Sequence, residues 1–253
     1  MNKKENREFG LSFSNLTFED FKSLAKDPSL SPYEKIGFPD SFREGKEHKI
    51  FLDILAKATN LATSNIKVLD IGPGCSDLPK LILKNANSLS QSVTLIDSFE
   101  MLDLLPDGSN ITKIEGMFPD CKSKLDDAKF HVIICYSVFQ YIFPSKNIFA
   151  FLQDLIAALE PGGQALIGDI PNLSKRRRFL KSENGKKFHR AYMATDNDPT
   201  IEAFPQQIDG IDDTVIRALV DRANSMGCDA YLLPQDPELP MSNRRDDLLI
   251  IKP

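Results

Sequence analysis

Short apolar runs bounded by turn residues recur along the chain at residues 66–71, 92–97, 111–116, 130–136, 164–169, 229–233 and 247–251. Most of them are rich in β-branched residues, which favour strands. The fourth run, FHVIICY, is almost wholly apolar, as a strand covered on both faces would be. The pattern therefore predicts seven β-strands, with the fourth in the interior of a sheet.

Helical periodicity separates the predicted strands. Apolar residues recur at helical spacing in 146–160 and 212–226, and Asp212 or Asp213 can cap the second of these helices. A further helix is expected near 43–62. Strands that alternate with helices imply right-handed β-α-β units and a parallel sheet in an α/β fold. Only about a dozen residues without helical periodicity join the last two strands, so the seventh is predicted antiparallel to the sixth.

The segment KVLDIGPGCSD, residues 67–77, places two glycines directly after the first predicted strand. Ligands of parallel sheets bind beyond the carboxyl ends of the strands, where Gly72 and Gly74 allow a tight turn and a close backbone approach. A helix that begins near Ser76 points its amide groups at the same place. Asp97 ends the second strand, 25 residues after Gly72, and either binds ribose hydroxyls or caps a helix.

Two acidic residues bear on the kind of nucleotide. A dinucleotide fingerprint has a third glycine where this chain has Asp77, and a carboxylate there would repel a pyrophosphate. Asp70, at the tip of the first strand, suits an ammonium or sulfonium group better than a phosphate. The loop therefore favours a cofactor with a positively charged end.

These residues resemble the class I S-adenosylmethionine-dependent methyltransferases over roughly residues 60–170. DIGPG is similar to the first motif of that family, and Asp97 matches its acidic ribose ligand. Met117 stands where the family often has an acidic residue, so an apolar contact of Met117 or Phe118 with adenine is expected. The resemblance implies a Rossmann-like, mostly parallel seven-stranded sheet with an antiparallel last strand and helices on both faces. It implies S-adenosylmethionine as cofactor, bound by Asp70, Gly72, Pro73, Gly74, Asp97, Ser98, Met117, Phe118, Tyr136 and Ser137.

Three segments outside this core, 37–51, 168–179 and 239–251, resemble a group of methyltransferases associated with bacterial surface-polysaccharide (lipopolysaccharide) biosynthesis. That resemblance implies a saccharide acceptor. It is compatible with one methyltransferase domain over 1–253, with an N-terminal extension or lid (1–60), a cofactor core (61–170), a substrate-side insertion (171–210) and a final helix with two strands (211–253).

Charge is distributed unevenly along the chain. Eight Lys or Arg residues fall between Lys175 and Arg190 against one acid, and six acids without a base follow in 196–213. The basic run is either a solvated helix face or a phosphate-binding lid, and the loop with Arg244 and Arg245 opens on the same side. Convergence of these loops predicts an anionic acceptor. The residues expected to contact it are Tyr33, Arg43, Gln140, Tyr141, Lys175, Arg176, Arg244 and Arg245. The alternative for the first two is packing on the sheet or on another subunit.

Methyl transfer to a hydroxyl benefits from a base near its proton. Asp169 ends the fifth strand and is the first candidate, and His189 is the second. Their alternatives are a loop hydrogen bond for Asp169 and a surface position for His189. His131 lies within a strand and is expected to be structural, whereas His48 is expected to be exposed.

Composition argues against several other functional classes of protein. The net charge of −5 argues against a general nucleic-acid binder, and no apolar run approaches the length of a membrane span. The four cysteines are scattered without a zinc spacing, which favours the reducing cytoplasm. No metal is expected, and the sequence is compatible with a monomer or a homo-oligomer. The rival functions are an RNA methyltransferase that uses residues 175–190, a nucleotide-binding oxidoreductase, and a non-catalytic partner-binding protein of the same fold.

Overall fold

The computed structural model describes residues 16–201 and 210–253. Its strands are β1 Lys67–Ile71, β2 Ser92–Asp97, β3 Ile111–Glu115, β4 Phe130–Tyr136, β5 Leu159–Pro171, β6 Asp229–Pro234 and β7 Arg245–Ile251. They form one seven-stranded sheet in the order β3-β2-β1-β4-β5-β7-β6. β7 is antiparallel to both β5 and β6, and the remaining pairs are parallel. The predicted sheet and its antiparallel last strand are confirmed.

Helices precede the sheet and connect its strands. They are α1 Phe18–Lys26, α2 Pro32–Lys35, α3 Asp40–Arg43, α4 Glu47–Lys57, α5 Asp77–Ser88, α6 Phe99–Leu102, α7 Phe139–Ile142, α8 Ile148–Ala157, α9 Leu173–Lys181, α10 Glu183–Met193 and α11 Asp213–Ser225. Short 3₁₀ turns cover Thr59–Ala62, Lys122–Leu125 and Ser242–Arg244. Residues 1–15 of the predicted extension and 202–209 of the predicted insertion lie outside the described residues.

Two predicted helices differ from the structure in their bounds. The helix expected over 146–160 begins at Ile148, where Asn147 caps it by accepting hydrogen bonds from two backbone amides. It ends at Ala157 because Leu159 already pairs with Phe130 as part of β5. The helix expected over 43–62 is divided into α4 and a 3₁₀ turn. Asp212, one of the two residues proposed as caps, is the N-cap of α11.

The core lies on both faces of the sheet. On one face, residues of β4 and β5 such as Ile133 and Ile167 pack with Leu152 of α8 and Leu219 of α11. On the other, strand residues pack with α4 and α5, as Val132 does in the cluster with Ile54, Ile82 and Leu83. β4 is therefore covered on both sides, as its apolar sequence predicts. No helix within the described ranges combines the length and apolar character needed to cross a membrane.

Candidate functional site

The glycine loop after β1 has a left-handed backbone at both glycines. Gly72 has φ +69° and Gly74 φ +66°, a region that residues with a Cβ rarely adopt. A Cβ on Gly72 would lie 2.6 Å from Cγ2 of Val138, and one on Gly74 would lie 2.5 Å from Cγ2 of Ile36. Only glycine fits these positions without strain. A ligand that approached both glycines would require the side chains of Val138 and Ile36 to move.

Two carboxyl groups lie beside this loop at the ends of β1 and β2. Asp70 is 3% exposed, and burial together with the charge of Asp97 raises its pKa to about 8. Burial raises the pKa of Asp97 to about 6, although the Gly74 amide donates to its Oδ2 at 3.0 Å and the Ser98 amide donates to its Oδ1 at 2.7 Å. Both groups carry a penalty for ionisation at neutral pH.

Within the described parts of the chain, no Lys or Arg forms an ion pair with Asp70 or Asp97. A cationic ligand would supply the missing charge and favour the ionised carboxylates. Oxygen atoms of Asp97 are also suited to accept hydrogen bonds from hydroxyl groups. This edge of the sheet therefore fits a ligand that carries both a positive charge and hydroxyls.

The other predicted cofactor residues on this side occupy different environments. Ser98 is buried and caps α6, since its Oγ accepts a hydrogen bond of 3.3 Å from the Met101 amide. Phe118 packs edge-on against Phe151, with ring centroids 5.7 Å apart, and is 2% exposed. Met117 and Pro73 are half-buried. Of the two residues expected beside adenine, Met117 is the more accessible.

A second centre forms around Asp169 at the carboxyl end of β5. Asp169 has φ +58° and lies where the register between β5 and β7 shifts. Its Oδ2 accepts hydrogen bonds from Ser137 Oγ at 2.6 Å and from Arg43 Nη2 at 3.2 Å. Gln235 donates to its Oδ1 at 3.4 Å, and Arg245 donates to its backbone oxygen at 2.8 Å. The carboxylate is held by side chains from several distant segments.

Asp247 of β7 supports this centre and is fully buried. Its Oδ1 accepts hydrogen bonds from the Asp169 amide at 2.7 Å and from Gln235 Nε2 at 3.0 Å. Lys57 of α4 donates to its Oδ2 at 2.6 Å. Burial raises the pKa of Asp247, and the charge of Lys57 opposes that shift. Tyr136, expected at the cofactor, joins this network because its hydroxyl accepts a 3.3 Å hydrogen bond from Gln235.

The two predicted catalytic residues are placed differently. Asp169 faces the centre, but its two carboxylate oxygens already accept from Arg43, Ser137 and Gln235. Because both oxygens are engaged by protein donors, this geometry suits positioning better than proton removal. His189 lies half-buried on α10, and no hydrogen bond of the described residues joins it to Asp169. Both catalytic roles remain predictions.

The predicted acceptor residues of the N-terminal segment, here residues 16–60, and of α7 surround these centres. Arg43 is 3% exposed, and its guanidinium lies 4.1 Å from the Phe38 ring centroid. Gln140 Nε2 donates to the backbone oxygen of Ser137 at 2.7 Å. Tyr141 packs edge-on against Phe21 at 4.9 Å, and burial raises its pKa. The contact between Phe21 and Tyr141 brings the N-terminal segment against α7, more than a hundred residues further along the chain.

Tyr33, also predicted at the acceptor, lies by a different cavity. Its hydroxyl donates to Asp77 Oδ2 at 2.9 Å. It lines a space of about 350 Å³ together with residues that include Glu47 and His48. Glu47 accepts a 2.6 Å hydrogen bond from the Leu78 amide in the first turn of α5. One of the amides expected to face a ligand is therefore used by the protein itself.

The remaining histidines agree with expectation. His48 is exposed on α4. His131 Nδ1 accepts a 3.2 Å hydrogen bond from the Lys67 amide, which ties β4 to β1. Within residues 16–201 and 210–253, no group of three or more His, Cys, Asp or Glu side chains is arranged to hold a metal ion.

The basic run forms the hairpin of α9 and α10, and half of its cations have carboxylate partners. The pairs are Lys175 with Asp246, Arg178 with Asp213, Lys186 with Glu183 and Asp198, and Arg190 with Asp198. The side chains of Arg176 and Arg244 form no hydrogen bond or ion pair with any other described residue. The Asn172 amide, at the start of α9, donates to the backbone oxygen of Arg244 at 2.9 Å, so the two arginine-bearing segments do converge. Burial and the charges of Arg176 and Arg245 lower the pKa of Arg244.

Solved structures of other proteins share this architecture. No model of a known protein family and no curated protein sequence matches the chain. It is similar to the solved structure of the plantazolicin methyltransferase BamL (TM-score 0.58, 14% identity, 98% of this chain and 96% of that chain). It is also similar to the plantazolicin methyltransferase BpumL with SAH (TM-score 0.57, 15% identity, 98% of each chain). The N-methyltransferase NodS from Bradyrhizobium japonicum WM9, with S-adenosyl-l-homocysteine, gives TM-score 0.53 and 11% identity over 93% of this chain and 98% of that chain. The chain therefore has the Rossmann-like fold of class I methyltransferases.

Proposed function

We propose that the protein is an S-adenosylmethionine-dependent methyltransferase that acts on a small, polar and anionic acceptor. The observation that carries this proposal is the pair Asp70 and Asp97, which lies beside the glycine loop without a cation from the described residues. S-adenosylmethionine carries an ammonium group, a sulfonium group and ribose hydroxyls, all of which complement carboxylates. NAD would place a pyrophosphate there and add to the negative charge. The SAH-bound neighbours of the same fold support the cofactor.

Individual residues of the site take roles that follow from their geometry. Asp97 accepts from the ribose hydroxyls, and Asp70 faces the cationic part of the cofactor. Gly72 and Gly74 permit close backbone approach once Ile36 and Val138 have moved aside. Met117 offers apolar contact to the adenine. Bound S-adenosylmethionine supplies an activated methyl group, and the protein contributes alignment and the exclusion of water.

The N-terminal segment is suited to excluding water from the reaction. Arg43 of this segment reaches the Asp169 carboxylate, and Ile36 lies against Gly74. Both contacts are made at the carboxyl ends of the strands, where ligands of such sheets bind. We infer that this segment opens to admit ligands and then covers them.

The acceptor we favour is a sugar or nucleotide-linked sugar of a bacterial surface polysaccharide. The resemblance of the three segments at 37–51, 168–179 and 239–251 supports it, because they supply Arg43, most of α9 with Arg176, and the Arg244–Arg245 pair. The neighbours reported above are named for plantazolicin and for N-methylation, not for a polysaccharide. All four cysteines are free and buried, which is consistent with the cytoplasm, where sugar nucleotides are available.

A methyl-transfer assay tests this proposal. S-adenosylmethionine labelled in its methyl group is incubated with the protein and a panel of sugar nucleotides, and labelled products are separated. Asp70→Asn and Asp97→Asn should abolish transfer, whereas Asp107→Asn should not, because the Asp107 side chain is 91% exposed. Equal transfer by all three variants, or displacement of the cofactor by NAD, would contradict the proposal.

A second candidate is a non-catalytic protein that keeps the fold for binding a partner. It is favoured by the filled space at the glycine loop, where Ile36 and Val138 lie, and by the complete bonding of Asp169. Such a protein would not bind S-adenosylmethionine at micromolar concentration. An RNA methyltransferase is less favoured because ion pairs neutralise half of the basic run.

A further inference from the structure

Three arginines from three elements meet next to the Asp169 centre. Arg176 lies on α9, which packs against the 3₁₀ turn Ser242–Arg244. Arg245 follows as the first residue of β7 and is fixed there, because its Nη1 donates to the Asp169 backbone oxygen at 2.8 Å and lies 3.7 Å from Oδ2. Arg244, the last residue of that turn, is half-buried, and it is close enough to Arg176 and Arg245 for their charges to act on it.

Within this arginine cluster, Arg176, Arg244 and Arg245, only Arg245 has a carboxylate partner among the described residues, which is Asp169 at 3.7 Å. The nearby carboxylates are used by other groups: Asp246 accepts from Lys175 and Asn172, and Asp213 accepts from Arg178. Burial lowers the pKa of Arg244, and the charges of Arg176 and Arg245 lower it further. Holding like charges together costs free energy, which a bound anion would offset.

An aromatic pair adjoins the cluster. Phe188 and Tyr192 lie one helical turn apart on α10 with nearly parallel rings, 5.8 Å between centroids and 8° between planes. They are 38% and 43% exposed, which is unusual for two neighbouring aromatic side chains. The Arg244 guanidinium carbon lies 5.9 Å from the Phe188 centroid. The exposed rings of Phe188 and Tyr192 therefore lie beside the arginine cluster.

The aromatic pair also leads toward the Asp169 centre. Tyr192 lies 6.3 Å from Phe42, between ring centroids. Phe42 precedes Arg43, whose guanidinium is bonded to Asp169. A molecule lying along Phe188 and Tyr192 with an anionic group on the arginines would extend along the edge of the proposed acceptor site.

We propose that Arg176, Arg244 and Arg245 bind the diphosphate of a nucleoside diphosphate, and that its base lies on Phe188 and Tyr192. Guanidinium groups match phosphate oxygens in a bidentate geometry, and several of them together suit a diphosphate. Aromatic side chains stack on bases with little sequence preference. The inference rests on the proposed function, since it identifies the part of the acceptor that carries the sugar. It adds Phe188 and Tyr192 to the residues expected to bind that acceptor.

The test uses the full chain without S-adenosylmethionine and three probes: uridine diphosphate, inorganic pyrophosphate and uridine. Calorimetry should show that uridine diphosphate binds most tightly, pyrophosphate more weakly and uridine not measurably. Arg176→Ala and Arg244→Ala should each weaken uridine diphosphate binding by about tenfold. Arg217→Ala is the matched control, because its side chain is 74% exposed on α11 and belongs to neither group.

The aromatic part has its own test. Phe188→Ala and Tyr192→Ala should lower the affinity for uridine diphosphate several-fold and leave that for pyrophosphate unchanged. If pyrophosphate binds as tightly as uridine diphosphate, the base contact is wrong. If Arg244→Ala and Arg217→Ala weaken binding equally, the arginine site is wrong. Melting temperatures of all variants exclude loss of folding as the cause.

The same variants separate this inference from the proposed function. Arg176→Ala and Arg244→Ala should retain wild-type affinity for S-adenosylmethionine, whereas Asp97→Asn should lose that affinity and retain uridine diphosphate binding. Binding of uridine diphosphate without any binding of S-adenosylmethionine would refute the methyltransferase and leave the anion site standing. The opposite result would refute the anion site alone.

Discussion

Arg43 of the N-terminal segment pairs with Asp169 at the end of the fifth strand, with 3.2 Å between Nη2 and Oδ2 and side chains that are 3% and 4% exposed. The same guanidinium group donates to Ser137 Oγ at 2.6 Å, so it bridges the ends of β4 and β5. Both Ser137 and Asp169 have positive φ angles, +62° and +58°. Non-glycine residues in this conformation are often found at functional sites. The pair therefore joins the N-terminal segment to the part of the sheet where the acceptor is proposed to bind.

Removing this guanidinium should destabilise the protein. Arg43→Ala leaves the Asp169 carboxylate buried with one cation fewer, and we expect a loss of about 3 kcal/mol in the free energy of unfolding. Arg43→Lys should recover only part of that loss, because lysine restores the positive charge but lacks the planar set of donors of the guanidinium group. Urea unfolding measures both values. Lys46→Ala, at an exposed position nearby, serves as the control. Equal midpoints for Arg43→Ala and Lys46→Ala would show that the buried pair contributes nothing.

Asp70→Asn should raise the stability of the folded protein at alkaline pH, although it should weaken binding of the cofactor. The folded pKa of Asp70, about 8, exceeds its ordinary value of 3.8, so the folded protein retains a proton that the unfolded chain releases. This contribution to stability is therefore present at low pH and is lost as pH rises through the folded pKa. The asparagine variant should melt at a similar temperature to wild type below about pH 4, and its advantage should grow as pH rises from about 4 to 8. Parallel melting curves at both pH values would disprove the shifted pKa.

Binding of S-adenosylmethionine should release protons near neutral pH. Asp70 has a folded pKa of about 8 and Asp97 one of about 6, and a cationic ligand favours the ionised form of each. The affinity should therefore rise from pH 6 to pH 8. Calorimetry at pH 7 in two buffers with different ionisation enthalpies should give different heats. Heats that do not depend on the buffer would argue against a cation at this carboxylate pair.

Ile36→Ala should accelerate cofactor association. The Ile36 side chain lies where a Cβ on Gly74 would be, so shortening it clears the approach to the loop. Gly74→Ala should have the opposite effect, because φ +66° disfavours a side chain and the added methyl fills the approach. Stopped-flow measurements give the association rates. Leu52→Ala, on the exposed side of α4, is the control and should match wild type. A slower Ile36→Ala variant would show that this side chain guides the ligand instead of obstructing it.

Much of the fold is predictable because its signals are local. Each strand is an apolar run ended by a turn, and the run at 130–136 coincides with β4. The glycine loop and Asp97 are recognisable for the same reason, since a tight turn after a strand and an acid at the next strand end define them. The limits of α8 were less predictable, because the pairing of Leu159 with Phe130 ends the helix through a tertiary contact.

The remainder of the site depends on long-range contacts that no local pattern encodes. Ile36, Val138 and Gln235 reach the site from segments whose sequences are ordinary turns and helix starts. Asp247 offered one usable signal, since a carboxylate next to Asp246 at the start of an apolar strand has to find buried partners. Its partners Lys57 and Gln235 become apparent only when the sheet and α4 are assembled.

We propose above all that the carboxylates beside the glycine loop, Asp70 and Asp97, bind S-adenosylmethionine. Calorimetric titration of wild type and of Asp97→Asn with S-adenosylmethionine, with NAD as the control ligand, tests it most directly. Micromolar binding to wild type, at least about tenfold weaker binding to the variant and no binding of NAD is the result that we predict. Folded wild-type protein that binds neither ligand, or binds NAD in preference, would contradict the claim.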